Sequence, residues 1–178
     1  MADLEHENLV FIDESGVNMK LCRRYARAIG GARVKAPIPF IRGKNNSMIG
    51  AVTSDEVLAF AYGEWATNTA SFLKFLEKFL CPKLNTKHTV ILDNVKFHQS
   101  LEVREAIEST GAKILFLPPY SPDYSPIENM WSKMKTYLRS AVTNTSEKLK
   151  KAINASIKTI NSSDLAGWFK HCGYVLDL

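Results

Sequence analysis

Three carboxylates, Asp13, Asp93 and Glu128, stand where this chain could carry out metal-assisted chemistry. Asp13 closes the apolar run of LVFIDES (9–15), and Asp93 closes that of HTVILDN (88–94). Short runs of aliphatic and β-branched residues read as strands buried on both faces. Open α/β sheets place their sites at the carboxyl ends of such strands, so if the two strands are neighbours both carboxylates emerge at one sheet edge. Taken singly, an acid at a strand end also serves to start a turn. Two strands of the same design shift the weight toward a shared site. Glu128 follows LPPYSPDYSPIENMW, which carries four prolines between 118 and 127. Locally Ser125 suits an N-cap, Pro126 the first helical position and Glu128 the third, which makes a capping box. A capping box needs no stiff approach, whereas a catalytic carboxylate must be held to within about half an ångström. Prolines restrict their own φ and the preceding residue, so Pro119, Pro122 and Pro126 are expected to support Glu128. Asp123, in the loop itself, competes with Glu128 but is held less well than a residue in a first helical turn.

Carboxylates gathered in this way raise one another's proton affinity and remain ionised only around cations. Hard oxygen donors without a His or Cys set favour Mg²⁺ or Mn²⁺. Two such ions, about 3.5–4 Å apart, activate a nucleophilic oxygen and steady the leaving oxygen of a phosphodiester. The partner is suggested by charge. The chain carries a formal +5, and between Ser15 and Ser54 there is no Asp or Glu, while Lys20, Arg23, Arg24, Arg27, Arg33, Lys35, Arg42 and Lys44 all fall there. Acidic triad and basic segment together point to phosphoryl transfer on nucleic acid, with Arg23, Arg24, Arg33, Lys35, Arg42 and Lys44 as DNA-binding candidates. Lys135 and Arg139 follow Glu128 at i+7 and i+11, off the apolar stripe of Ile127, Met130, Trp131, Met134, Leu138 and Ala141. A phosphate backbone could run along that row, although solvated surface is the plain alternative. The stripe, Trp131 included, reads as core. Asn94 could orient a ligand or close a turn. His98 could support the site or contact DNA, but reads more simply as a satisfied structural histidine. Glu14 falls on the face opposite Asp13.

The elements that must position these groups are legible as a pattern. At 178 residues and 46% apolar, the chain suits one core and one domain, 1–178. Strands are expected at 9–15, twice within 47–65 around a turn at Ser54–Glu56, at 88–94 and at 112–118. Helical spacing recurs at 72–80, at 101–107 before Gly111, and through three stretches after 125. This order is an α/β sandwich, a five-stranded mixed sheet that opens with a meander and is flanked by helices. Cys22, Cys81 and Cys172 form no C-x-x-C pair, so neither a disulfide framework nor a zinc site is indicated. The acidic N-terminus is unlike a signal peptide, and no apolar run nears the roughly 18–20 residues of a membrane span. A soluble intracellular protein without membrane contact is expected.

FIDES, VILDN with His98 downstream, and LPPYSPDYSPIENMW closely resemble the catalytic domain of mariner-type insertion-sequence transposases of the DDE superfamily. Thirty-four residues separate Asp93 from Glu128, the spacing of the D…D-x34-E branch, and RGKNNSMIGAV and WFKHCGYV extend the likeness over nearly the whole chain. The resemblance implies a ribonuclease H-like fold and Asp13, Asp93 and Glu128 as the catalytic, metal-binding triad for two Mg²⁺ or Mn²⁺ ions. It further implies cut-and-paste transposition of double-stranded DNA flanked by inverted repeats, commonly into TA targets, by a homodimer at the nucleoid of a prokaryotic cytoplasm. Val95 and Lys96 depart from the smaller or less charged residues common there. Such transposases carry an N-terminal helix-turn-helix region that reads the element ends, and here the first strand begins about eight residues in. A separately encoded DNA-binding region, or a truncated remnant, is the corresponding expectation. A ribonuclease H or junction-resolving nuclease shares the fold and metals, and a catalytically idle DNA-binding remnant is the non-enzymatic alternative. The proline loop and the spacing favour the transposase over the first, and the complete triad favours it over the second.

Overall fold

The apolar runs assemble into one five-stranded sheet in a computed structural model that describes residues 8–22, 29–31, 45–119, 121–141 and 143–174. In chain order the elements are β1 (Leu9–Val17), β2 (Asn46–Val52), β3 (Val57–Gly63), α1 (Thr69–Phe75), β4 (Thr89–Leu92), α2 (Leu101–Glu108), β5 (Lys113–Phe116), α3 (Pro126–Ser140), α4 (Ser146–Ile157) and α5 (Ser162–His171). The spatial order is β3-β2-β1-β4-β5. β1, β2 and β3 form the antiparallel meander, while β4 pairs parallel with both β1 and β5. The expected mixed sheet is therefore present, and the two Asp-bearing strands are neighbours.

Side-chain alternation along β1 divides the core in two. Leu9 and Phe11 join Met48, Val52 and Ile91 beneath α3, α4 and α5, whereas Val10 and Ile12 join Ile49, Val90 and Leu92 beneath α1 and α2. Each face of the sheet is thus covered by helices, which is why the central strands read as continuous apolar runs. On α3 the stripe Ile127, Met130, Trp131, Met134 and Leu138 is buried, and burial of each such large side chain contributes about 1.5–3 kcal/mol. α1 runs on through a π-helical turn, Leu76–Leu80, into a 3-10 turn, Cys81–Lys83. Gly111, at φ +83°, carries the chain from α2 into β5, a conformation that side chains with a Cβ resist.

One expectation about β1 needs correction. Asp13 does not end its strand: β1 continues to Val17, paired with β2 over Phe11–Val17. The parallel ladder with β4 ends earlier, at Phe11 and Ile91. Asp13 consequently sits where β1 loses its parallel neighbour but keeps its antiparallel one. A strand edge opens there without a chain end, because the antiparallel pairing with β2 supplies the ladder that β4 no longer does. Among the described residues no helix is long and apolar enough to cross a membrane.

Candidate active site

A cavity of about 430 Å³ opens where β1 and β4 part company, and Asp13, Asp93 and Glu128 all line it. Asp13 comes from the middle of β1, Asp93 from the residue after β4, and Glu128 from the first turn of α3. Asn94, Pro119 and Pro122 share the lining, and Asp123 does not. Three elements distant in sequence thus deliver carboxylates to one hollow.

The support for Glu128 differs from a capping box. Ser125 is the N-cap of α3 and Pro126 its first residue, but Ser125 makes no side-chain capping bond. Its backbone carbonyl instead accepts from the Glu128 N–H at 3.1 Å. The local pattern is present and its reciprocal bonds are not, because the 3-10 turn Pro122–Tyr124 leads Ser125 in at φ −113°, ψ 98°. Among the described residues no hydrogen bond or ion pair engages the Glu128 carboxylate. The loop itself is tied down by Tyr174, whose hydroxyl donates to the Tyr124 carbonyl at 2.8 Å and whose ring packs on Phe11 and Phe169. Burial raises the Tyr174 hydroxyl to about 12, so it remains a donor.

His98 is the hub on the other side. It is fully buried, its ring lying against Phe72 and Phe97 at centroid distances of 4.5 and 4.3 Å. Its Nδ1 lies 2.6 Å from Asp93 Oδ1 and its Nε2 2.9 Å from Glu14 Oε1. Burial opposes charge on the ring, but the bonds to Asp93 and Glu14 outweigh it and raise His98 to about 9. Both nitrogens then donate. Desolvation would push Asp93 up, yet the His98 bond and charge hold it below the usual carboxylate range. Glu14, His98 and Asp93 form a hydrogen-bonded bridge from β1 to the end of β4. His98 is thus both buried and bonded at each ring nitrogen, one of the two bonds going to a candidate site carboxylate. Asn94 is likewise tied locally, its side-chain oxygen and its backbone carbonyl both accepting from Gln99 Nε2.

Asp13 is in the opposite electrostatic situation. Burial, then the negative charges of Glu14 and Glu128, push its carboxyl up to about 7 against the Glu14 N–H and the Trp131 indole that favour its anion. Trp131 Nε1 donates to Asp13 Oδ2 at 2.8 Å. Sequence reasoning placed Trp131 in the core, where it is, but missed this bond; a buried indole N–H regularly finds an acceptor, and that was the available signal. Glu14 as a partner of His98 and Tyr174 as the anchor of the proline loop were missed too.

The donor set fits a hard divalent cation. Two carboxylates, Asp13 and Glu128, face a common cavity with mutual repulsion and no cationic partner among the described residues, and Asp93 adds hard oxygen. Among the described residues no three His, Cys, Asp or Glu side chains are drawn tight enough to hold an ion as they stand. Of the DNA-binding candidates, Arg23, Arg24, Arg33, Lys35, Arg42 and Lys44 lie outside the described residues. Lys135 is half-buried and Arg139 exposed on α3, and neither lines the cavity.

Comparison with known proteins adds a frame to this geometry. No curated protein matches the sequence. Among solved structures, the pre-cleavage Mos1 transpososome superposes with a TM-score of 0.77 at 15% identity, over 97% of this chain and 56% of that one. The Mos1 mariner paired-end complex with Mn gives 0.76 at 17% identity, over 94% and 53%. The catalytic domain of Mos1 mariner transposase gives 0.71 at 15%, over 94% and 78%. The fold is thus that of the Mos1 catalytic domain, ribonuclease H-like, and the chain spans little more than half the length of the chains in the Mos1 complexes. A family model described as DDE superfamily endonuclease matches residues 8–150, a stretch that contains all three carboxylates, and the chain belongs to that superfamily.

Proposed function

We propose that this chain is the catalytic domain of a mariner-type DDE transposase. In this reading it cuts DNA strands at the ends of a mobile element and joins the freed 3′-hydroxyl to a target. The observation that carries the reading is the convergence of Asp13, Asp93 and Glu128 on one cavity in a chain of the DDE endonuclease superfamily. Asp13, Asp93 and Glu128 would hold two Mg²⁺ or Mn²⁺ ions, which when bound supply activation of the attacking oxygen and stabilisation of the leaving one.

The chain's own residues do the positioning. His98 fixes one oxygen of Asp93 and ties it to β1 through Glu14. The proline loop, anchored by Tyr174, presents Glu128 at the first turn of α3. Asn94, Pro119 and Pro122 form walls that limit how DNA enters. The substrates are double-stranded element ends and target DNA, engaged by basic residues that include Lys135 and Arg139 and, in the undescribed segments, Arg23, Arg24, Arg33, Lys35, Arg42 and Lys44. The Mos1 neighbours are paired-end and strand-transfer complexes, which supports DNA as partner; assembly as a homodimer at the nucleoid is part of the same proposal.

The test is strand transfer by the full chain from a pre-cleaved element end carrying a free 3′-hydroxyl into plasmid DNA. Joined product that requires Mg²⁺ or Mn²⁺ and disappears with EDTA is expected. Hydrolysis of an RNA–DNA hybrid or a four-way junction, with no joining, would replace this reading by that of a ribonuclease H or resolving nuclease.

A further inference from the structure

Asp13 meets two neighbours that have no part in metal binding. Across the antiparallel ladder its partner in β2 is Gly50. From α3, the indole of Trp131 reaches it with a 2.8 Å hydrogen bond to Oδ2. The two neighbours depend on one another, because a Cβ at Gly50 would lie 3.0 Å from Trp131 Cη2 and 2.9 Å from Met130 Cε. The bare backbone of Gly50 therefore leaves the slot in which the indole edge lies. Trp131 also stands three residues after Glu128 on α3, one turn along the same side of the helix.

We propose that Trp131, seated in the slot left by Gly50, is a positioning residue that holds Asp13 in ligating orientation and fixes it relative to Glu128. The proposal rests on the reading of Asp13 as a metal ligand. A carboxylate with one oxygen held cannot swing freely about its terminal torsion, so less ordering remains to be done when a cation arrives. Because the indole belongs to the helix that carries Glu128, the bond also links the separation of the two carboxylates to the packing of α3 on β1 and β2. A buried indole that merely satisfied its N–H would accept any nearby carbonyl as its partner. Here the partner is a carboxylate on the cavity wall, 118 positions away in sequence.

The test is Mn²⁺ binding to the full chain, followed by electron paramagnetic resonance, at a temperature well below melting. Trp131→Phe keeps an aromatic ring without the N–H, and Trp131→benzothienylalanine keeps the shape of the indole with sulfur in place of N–H. Gly50→Ala narrows the slot, and Met134→Ala, in the same buried stripe, serves as the stability control. Loss of an outer-shell partner typically weakens metal binding about 10- to 100-fold. That loss is expected in both Trp131 variants, with a smaller one in Gly50→Ala and none in Met134→Ala. Benzothienylalanine at position 131 decides the matter if the Phe variant does not fold. Mn²⁺ affinity within about twofold of the parent in that variant, while Asp13→Asn abolishes binding, overturns the positioning role alone, since the loss expected was at least tenfold. Unchanged binding in Asp13→Asn overturns both the positioning role and the ligand reading beneath it.

Discussion

At the scale of residues, the site separates a compensated carboxylate from an uncompensated one. Asp93 shares a bond with a cationic His98, whereas Asp13 is half-buried beside Glu14 and Glu128 and resists ionisation. Stability and function should therefore respond oppositely at Asp13. In the absence of divalent cation, Asp13→Asn removes the cost of burying charge, and its melting temperature should equal or exceed the parent's. The rise in melting temperature that Mn²⁺ gives the parent should vanish in this variant, and scanning calorimetry with and without Mn²⁺ checks both halves. His98→Ala is expected to do the reverse, leaving Glu14 and Asp93 without their shared donor and costing about 1–3 kcal/mol, less than a fully buried pair would because the Asp93 side chain is 45% exposed. Urea titration measures it. The candidate carboxylates were legible because each ends an apolar run or a proline loop. Their partners were not. His98 reaches Glu14 across 84 positions and Trp131 reaches Asp13 across 118, and local periodicity carries no information about such pairings.

Elements set the precision of the site. The loop from Pro118 to Ser125 presents Glu128, and Pro119 and Pro122 lie on its exposed cavity side. Replacing both by Ala should cost only about 1–2 kcal/mol, mostly through a looser unfolded chain, while lowering strand-transfer activity by more than that stability loss explains. Melting and turnover measured on the same preparation distinguish the two effects, and an activity loss accounted for by unfolding would remove the positioning role. α5 offers a pH-dependent check on the packing behind α3. Asn161 and Asp164 form a capping box at its N-terminus, and Lys133 of α3 bonds Asp164. The Lys133 bond holds the Asp164 carboxyl below its usual range. A lowered carboxyl stabilises the fold above its unfolded value, about 3.9, and loses that contribution as the pH falls through the folded value. Asp164→Asn should accordingly be less stable than the parent at pH 7, with the difference shrinking in acid. The strand meander was readable from its near-continuous apolar runs and the three late helices from helical apolar spacing, since the central strands bury both faces and each helix buries one. The extension of β1 to Val17 was not, because it depends on pairing with β2 rather than on its own apolar run.

Over the whole molecule, the sheet places both Asp-bearing strands at its centre, and α3, on one face, brings Glu128 to their common edge. The net charge of +5 and the acid-free stretch from Ser15 to Ser54 suit a polyanion. Neutralising Arg23, Arg24, Arg33 and Lys35 together should flatten the logarithmic salt dependence of duplex binding by about 0.9 units for each phosphate that is no longer neutralised. An unchanged slope moves the DNA path toward Lys135 and Arg139. The proposed catalysis rests on the three carboxylates acting as one unit. Its most direct test is the rate of Mg²⁺-dependent strand transfer for Asp13→Asn, Asp93→Asn, Glu128→Gln and the triple variant, each shown to be folded. Groups that act together are strongly non-additive, so each single substitution is predicted to be about as damaging as the triple one. A folded single variant that retains near-parental joining would contradict the account and remove that residue from the site.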